Sequence, residues 1–142
     1  MKIGTFSVLI DTNVWSELVR PRPDERVGSW MRDNFERAVM SAIVLGEIRY
    51  GIALASGERR RRFQSFHDDL VVRLPGGVAS FDDAAAAAWG ALRARLKRAG
   101  QLIGERDMLI AGHALSLGLP VVTRNVSEME RTGVDIINPW QP

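Results

Sequence analysis

The sequence predicts an α/β fold in which helices cover a mostly parallel sheet, and two observations support this prediction. Short apolar runs rich in β-branched residues, such as residues 6–10 and 119–125, are typical of strands that are buried on both faces. Segments with helical periodicity and capping residues alternate with these runs. Such alternation is the pattern of units that place strands in parallel. The 142 residues fit a single domain, assigned to residues 1–142.

The first predicted strand, residues 6–10, runs directly into a group of residues that favour helix N-caps, Asp11 to Asn13. A helix is therefore predicted over residues 14–20. Two prolines follow it. Because proline cannot continue a helix, they separate this helix from the next one, which is predicted over residues 24–36.

The remaining predicted strands and helices continue the alternation, and residues typical of helix ends and turns mark their boundaries. Glycines end three of the predicted helices, acids begin the alanine-rich one, and a PGG sequence forms a loop. The other predicted strands are residues 38–43, 119–125 and 134–139. The other predicted helices are residues 44–56, 58–74, 82–100 and 105–118.

The composition excludes several classes of protein. The chain has no cysteine, which excludes disulfides, thiolate zinc sites and cysteine nucleophiles. No apolar run approaches the roughly 20 residues that cross a bilayer, and no signal peptide is recognised. A cytoplasmic protein without a membrane partner is therefore expected. The chain has two lysines, neither in a glycine-rich loop, which argues against a phosphate-loop nucleotide hydrolase.

Two polar residues follow predicted strands. Asp11 comes directly after the first strand, and Asn125 ends the strand at 119–125. Ligands of open α/β sheets gather beyond the carboxyl ends of the strands, so these two side chains are expected at the same edge of the sheet. Asp11 on its own is also a good helix cap, and that interpretation stays open.

Two further acids lie beside apolar structure. Glu47 shares a predicted helical face with Tyr50 and Leu54, and a carboxylate on a packing face is costly unless a metal or a buried arginine pairs with it. Asp107 lies in the first turn of its helix, where the helix dipole favours an acid in any case. If these acids converge with Asp11, their repulsion raises one or more pKa values, and a hard cation such as Mg²⁺ relieves it. Phosphodiester hydrolysis is the reaction that most naturally uses such a site.

Four motifs occur in order along the chain: DTNVWSEL, SAIVLGEIRYGI, ERDMLIAGHAL and GLPVVTRNVSEMERTGVDIINPW. Together they resemble the PIN-domain ribonucleases, and most closely the VapC-type toxins of bacterial type II toxin–antitoxin pairs, in particular the FitB-like branch. The resemblance extends over residues 8–140. It implies a PIN-like three-layer sandwich with an endoribonuclease site, dependent on Mg²⁺ or Mn²⁺, at one edge of the sheet.

The resemblance also implies roles for individual residues. Asp11, Glu47 and Asp107 match the three family acids that hold the metal or orient the attacking water. Asn125 stands at the fourth catalytic position, which is usually an acid or asparagine. Further positions match polar residues that support the metal or its waters: Asn13, Ser16, Thr123 and Glu128. Glu128 stands where aspartate is usual, so a metal contact, a supporting role and a solvent-facing position all stay open for it.

The function implied by the resemblance is hydrolysis of RNA by water, leaving a 5′-phosphate and a 3′-hydroxyl. The partners would be an RNA substrate and a cognate antitoxin that inhibits the enzyme, often by sending a basic residue toward the acids. A homodimer is expected, with larger assemblies in the presence of the antitoxin. The alternative is a catalytically silent PIN-fold module that binds nucleic acid or protein.

The arginine run at residues 59–62 leaves two interpretations open. Arginine binds phosphate through two hydrogen bonds at once, so the run is able to contact an RNA backbone. Four consecutive helical residues point in different directions, however, which favours an ordinary solvated surface. Arg124 is a better candidate for RNA contact, because it lies beside the fourth position of the predicted site.

Overall fold

Five short strands form one parallel sheet in residues 3–4 and 6–142, the part of the chain that the computed structural model describes. The strands are β1 (Val8–Ile10), β2 (Ala38–Ser41), β3 (Val78–Ala79), β4 (Val121–Val122) and β5 (Ile136–Ile137). Their order across the sheet is β3-β2-β1-β4-β5, and every pair of neighbours is parallel. The predicted three-layer α/β fold is confirmed.

Seven α-helices connect and flank these strands in the same part of the chain, and they include every helix that the sequence predicts. They are α1 (Thr12–Leu18), α2 (Glu25–Asn34), α3 (Ala42–Leu54), α4 (Gly57–Arg73), α5 (Asp83–Arg98), α6 (Glu105–Leu117) and α7 (Val126–Met129). The short α7 was not expected, because four residues are too few to show a helical period. Within the described residues, no helix combines the length and the apolarity that a membrane span requires.

The central strand β1 lies in the middle of the core. Val8, Leu9 and Ile10 are fully buried between β2 and β4. Burial on both faces explains why the strand is an uninterrupted apolar run without alternating polar residues. The register pairs Leu9 with Val39 on one side and with Val121 on the other. The carboxyl ends of all three strands therefore meet at one edge.

The structure corrects several details of the predicted strands. β1, β4 and β5 are shorter than predicted, and β4 ends at Val122, three residues before Asn125. β2 ends at Ser41, earlier than predicted, because the Ser41 hydroxyl accepts a hydrogen bond from the Ile43 amide at 3.1 Å and caps α3. β3 is absent from the prediction, since it has two residues and follows the PGG loop. Gly76 in that loop allows a close approach to β2. A Cβ there would lie 2.5 Å from Val39 Cγ2 and 2.7 Å from the Ala38 carbonyl oxygen.

The helical face predicted for Glu47 is not the packing face of α3. Tyr50 and Leu54 are exposed, with 67% and 69% of their surface accessible, so the expectation of an apolar packing stripe was wrong. The helix instead packs through Val44 and Ile52, which are buried. Glu47 therefore lies at the border between the buried and the exposed face.

A buried hydrogen bond links α6 to the start of α3. His113 Nδ1 lies 2.8 Å from the Ser41 hydroxyl, and both side chains are buried. Burial lowers the pKa of His113, which favours the neutral imidazole. The same hydroxyl oxygen still accepts from the α3 backbone. This contact fixes α6 relative to the helix that carries Glu47.

Gly112 allows α5 and α6 to pack closely. A Cβ at Gly112 would lie 2.7 Å from Trp89 Cα and 2.9 Å from Trp89 N, which is closer than real contacts allow. Because these atoms belong to the backbone of α5, rotation of a side chain cannot relieve the clash. The close approach therefore sets the position of α6, and with it the position of Asp107 in the first turn.

We expect Gly112→Ala to lower the free energy of unfolding by about 1–3 kcal/mol, since the added methyl group overpacks the contact between α5 and α6. Gly90→Ala is the matched control, because a Cβ at Gly90 of α5 meets no atom of the described chain within 4 Å. That change should raise stability by about 0.5–1 kcal/mol through better helix propensity. Urea denaturation measures both, and equal effects would contradict the packing account.

Candidate functional site

The predicted site residues gather at the carboxyl edge of the sheet. Asp11 follows β1 directly, and its amide donates to the Val122 carbonyl of β4 at 2.9 Å. Asn125 follows β4 at the same edge. Glu47 arrives from the second turn of α3, and Asp107 from the first turn of α6. The structure thus brings together the four residues that were predicted for the centre of the site.

Asp11 is fully buried, and each of its oxygens receives hydrogen bonds. Oδ1 accepts from the Thr12 amide at 2.7 Å, so Asp11 is the N-cap of α1, as one interpretation of the sequence predicted. Oδ2 accepts from the Thr123 hydroxyl at 2.7 Å and from the Asn13 side-chain amide at 3.3 Å. These donors hold the carboxylate in one orientation and offset part of its desolvation.

Glu47 is the most accessible of the three acids. Its side chain is 32% exposed, compared with 0% for Asp11 and 8% for Asp107. The Thr12 hydroxyl donates to Glu47 Oε1 at 2.6 Å, and this contact ties α3 to the first residue of α1. Of the three carboxylates, Glu47 is therefore the one that water and substrate reach most easily.

Asp107 is buried at the same centre, and Asn125 holds it in place. The Asn125 side chain donates to Asp107 Oδ2 at 2.5 Å and does not cap α7, the helix that it precedes. Burial is the main reason that the pKa of Asp107 rises to about 6, and a hydrogen bond with Glu128 raises it further, while Arg106 lowers it. A nearby cation therefore favours the ionised form of this carboxyl.

One cation, Arg106, contacts all three acids. Its Nε lies 2.5 Å from Glu47 Oε2, its Nη1 lies 2.7 Å from Asp107 Oδ1, and its Nη2 forms an ion pair with Asp11 Oδ1. Nη2 also donates to the Thr12 hydroxyl at 3.1 Å. Partial burial acts to lower the pKa of Arg106, but the hydrogen bonds to Glu47 and Asp11 outweigh burial and raise it above its ordinary value. The guanidinium is therefore a fixed positive charge.

The centre remains short of positive charge with Arg106 in place. Three carboxylates and one guanidinium leave two negative charges in excess when all are ionised. Oxygen donors with such an excess suit a hard divalent cation. The Arg106 guanidinium, however, occupies the space between the three carboxylates. Within residues 3–4 and 6–142, no three acidic or histidine side chains are arranged to share a metal ion as they stand. A metal requires the guanidinium to move.

Arg106 and Thr12 are central residues that sequence reasoning missed. Arg106 directly precedes Asp107, and adjacent residues on a helix face different directions, so the spacing gives no indication of a shared site. A signal is present nonetheless. Arg106 lies in the first turn of α6, where the helix dipole disfavours a cation unless acids pair with it. The signal for Thr12 is its place in the DTN motif, directly after the predicted ligand.

A small hydrogen-bond network lies behind Asp11. The side-chain amide of Asn13 donates both to Asp11 and to the Thr123 hydroxyl, at 3.3 and 3.2 Å. The Thr123 hydroxyl oxygen also accepts from the Asn125 amide at 3.0 Å, and Asn13 Oδ1 accepts from the Arg124 amide at 3.2 Å. The network ties the loop after β4 to the first turn of α1.

The other two residues predicted to support the site lie farther out. Glu128, in the first turn of α7, accepts a hydrogen bond from the Asn125 side chain at 3.4 Å and influences the pKa of Asp107. Ser16 is exposed on the wall of a groove, and in the described part of the chain its hydroxyl makes no hydrogen bond with the acids. The structure therefore brings Glu128 close to the centre and leaves Ser16 at the rim.

A groove of about 910 Å³ reaches the site at Glu47, the most accessible of the three acids. Glu47 and Arg106 line it together with Phe63 and Trp140. Four more arginines also line it: Arg20, Arg59, Arg62 and Arg124. The Arg124 guanidinium lies over the Trp140 ring, with Cζ 5.0 Å from the ring centre. The groove thus combines an acidic centre with basic and aromatic walls, which suits an anionic ligand that has planar groups.

Comparisons with known proteins agree with these features. The PIN domain family model matches residues 8–134. The VapC ribonuclease Y4jK of Sinorhizobium fredii is 39% identical over 95% of this chain and 99% of its own length. Toxin FitB of Neisseria gonorrhoeae is 32% identical over 94% of this chain and 98% of its own length. The crystal structure of FitAcB from the same organism matches with a TM-score of 0.84 and 33% identity, covering 95% of this chain and 99% of that one.

The geometry defines a class of protein: an α/β fold with acidic residues at the carboxyl edge of a parallel sheet. The chain belongs to the PIN domain family. The matched residues run from β1 to just before β5, so they include all four residues of the predicted centre. The resemblance read from the motifs is confirmed, including its similarity to VapC and FitB.

Thr123→Val is expected to lower the free energy of unfolding by about 1–3 kcal/mol, because it leaves one oxygen of the buried Asp11 without its hydroxyl donor. Thr123→Ser is the matched control, since it keeps the hydroxyl and removes only a methyl group. Denaturation of both variants in EDTA measures the difference. If Thr123→Ser lowers the free energy of unfolding as much as Thr123→Val does, the loss comes from packing of the methyl group and not from the hydrogen bond.

Proposed function

We propose that this chain is a divalent-metal-dependent endoribonuclease and the toxin of a toxin–antitoxin pair. The observation that carries the proposal is the convergence of Asp11, Glu47 and Asp107 on one cation at the carboxyl edge of the sheet. Clustered carboxylates beside a basic groove suit metal-assisted hydrolysis of a phosphodiester. The name of one relative, a VapC ribonuclease, supports the activity, and the name of another, toxin FitB, supports the role as a toxin.

The donor set fits Mg²⁺ or Mn²⁺ once Arg106 moves aside. Arg106 pairs with Asp11 Oδ1 and Asp107 Oδ1, so its departure would open a position for a cation at one oxygen of each carboxylate. Asp11 Oδ1 would keep the hydrogen bond from the Thr12 amide at 2.7 Å. The second oxygen of each stays held, by Thr123 in one case and by Asn125 in the other. Carboxylate oxygens are preferred ligands of both cations. We therefore assign Asp11 and Asp107 as the residues that hold the metal.

The chain's own residues do the positioning. Glu47, the most accessible acid, accepts a hydrogen bond from the attacking water or contacts the metal. Asn125 keeps Asp107 oriented. A bound divalent cation would supply a Lewis acid that polarises the phosphate. Addition of water to phosphorus breaks the bond to the 3′ oxygen, so one product carries a 5′-phosphate and the other a 3′-hydroxyl.

The acid centre also suggests how an antitoxin would inhibit the enzyme. It already binds a guanidinium, that of Arg106, through three ion pairs. A lysine or arginine from an antitoxin segment would engage the same carboxylates and compete with a divalent cation. The predicted homodimer, the larger assembly with antitoxin and the cytoplasmic location stay predictions.

A catalytically silent binding module is the second candidate, and Arg106 is the observation that favours it. Because Arg106 pairs with all three acids, the centre is partly neutralised without any metal. Such a protein would bind RNA or antitoxin through the groove and leave RNA intact. Metal-dependent cleavage separates the two candidates.

Purified protein, free of antitoxin, is expected to cut total bacterial RNA into discrete fragments with Mg²⁺ or Mn²⁺ and not with EDTA. Asp11→Asn and Glu47→Gln should each lower the cleavage rate by about a hundredfold or more, since removal of a group that acts in the transition state costs about that much. Glu47→Gln is included because Glu47 is partly exposed, so this change is less able to disturb folding than Asp11→Asn. Gel electrophoresis and sequencing of the fragment ends provide the measurement.

Asp69→Asn is the control for these variants, because Asp69 is an exposed acid that pairs with Arg73 on α4. It should cut RNA at the wild-type rate. Cleavage that is equal in wild type and in both site variants would assign the activity to a contaminant. Metal binding without any cleavage would favour the silent module.

A further inference from the structure

We propose that Arg59 and Arg62 of α4 form a binding site for the RNA backbone, separate from the acid centre and in the same groove. The inference rests on the proposed function, since RNA is the substrate named there. The site would hold phosphates other than the one that is cleaved, and so fix the position of the strand over the acids.

The spacing of the two arginines directs both into the groove. They are separated by one helical turn, so their side chains lie on the same face of α4, with about 5–6 Å between Cβ atoms. Both line the groove that also contains Glu47 and Arg106. A strand that occupies this groove therefore meets Glu47, at the edge of the acid centre, together with the two arginines.

Phe63 holds both guanidinium groups. Its ring is partly buried in the wall of the groove. The Cζ atom of Arg59 lies 5.1 Å from the ring centre, and that of Arg62 lies 5.7 Å from it. Cation–π contacts restrict the long side chains and leave their N–H groups available. A guanidinium held in this way keeps its planar set of donors for a phosphate.

Arg60 and Arg61, the other two residues of the run, face elsewhere. Among the described residues that line the groove, neither is present. Arg61 instead pairs with Glu58 at 2.7 Å on the exposed surface. Each of the two interpretations of the arginine run, RNA contact and solvated surface, therefore applies to two of its four residues. Arg60 and Arg61 belong to the solvated surface, and Arg59 and Arg62 belong to the groove.

The charges of Arg59 and Arg62 are available to a ligand. Arg20 and Arg93 each form an ion pair with a carboxylate, at 3.2 and 3.0 Å. Within residues 3–4 and 6–142, no carboxylate lies within 4.0 Å of the Arg59 or Arg62 guanidinium. Phosphates of a nucleic acid complement this charge. Bases also stack on guanidinium planes, which acidic peptide side chains do not do, so RNA fits the site better than an acidic protein segment.

The test measures binding of a short fluorescent oligouridylate in EDTA, where cleavage does not contribute, by fluorescence anisotropy at several salt concentrations. Backbone contacts are independent of sequence, so this probe is sufficient. The double variant R59A/R62A is compared with R60A/R61A, which removes the same charge from the same part of α4. Circular dichroism melts check that both variants fold.

R59A/R62A is expected to bind the probe about tenfold or more weakly, and to lower the slope of log affinity against log salt by about 1.4, because each contact to a single strand contributes about 0.7. R60A/R61A should bind as the wild type does. If both variants lose the same amount of affinity for the probe, the effect is one of net charge, and the proposed site is wrong. Unchanged RNA binding by R59A/R62A, with weaker binding of purified antitoxin, would assign the arginines to the partner and also overturn it.

Probe binding and RNA cleavage together distinguish failure of the proposed function from failure of the proposed backbone site. If R59A/R62A alone loses probe binding and the wild type cleaves no RNA with Mn²⁺, the backbone site stands and the nuclease does not. If the wild type cleaves RNA and both double variants bind the probe normally, the nuclease stands and the site does not.

Discussion

Three carboxylates from three separate elements share the guanidinium of Arg106, and the geometry of the sheet edge depends on this charge balance. Without a cation, Asp11 and Asp107 would be buried acids in repulsion, which is a costly arrangement. With Arg106 alone, two negative charges remain in excess. Arg106 thus offsets part of the repulsion within the chain itself, and we propose that the remaining negative charge attracts a divalent cation. We propose that the guanidinium and the divalent cation compete for the same carboxylate oxygens.

The rest of the fold serves to hold the acids where this competition takes place. The parallel register aligns the ends of β1, β2 and β4, which fixes Asp11 and the loop that carries Asn125. Gly112 lets α6 lie against the backbone of α5. The buried contact between Ser41 and His113 connects α6 to α3. Each acid is thus carried by an element whose position is set by backbone packing, which favours a site with little freedom to rearrange.

Local sequence features predicted the architecture and the centre of the site well. Buried strands, caps and helix-ending glycines are signals contained within a few residues, and Asp11 and Asn125 were placed at one edge by the ends of their strands alone. The two elements that escaped prediction, β3 and α7, are too short to show a period. The PIN family resemblance was needed to assign roles to Glu47 and Asp107, because each acid had a structural explanation of its own.

What the sequence did not predict depends on contacts between distant segments. The packing face of α3 was misjudged because Tyr50 and Leu54 are apolar in composition, yet the helices that cover α3 leave them exposed. Arg106 was missed because two of its three acid partners, Glu47 and Asp11, lie far away along the chain. The division of the arginine run into groove and surface members likewise depends on where α4 lies, which no local pattern encodes.

This competition is best tested by the Mn²⁺ affinity of the wild type and of Arg106→Gln, measured by titration calorimetry without RNA. If guanidinium and metal compete for the same oxygens, Arg106→Gln should bind Mn²⁺ about tenfold or more tightly, which corresponds to about 1.4 kcal/mol. Arg93→Gln, which removes an exposed arginine paired with Glu105, should bind as the wild type does. Equal affinity in the wild type and Arg106→Gln, or an equal gain in both variants, would show that the Arg106 guanidinium and the metal do not compete.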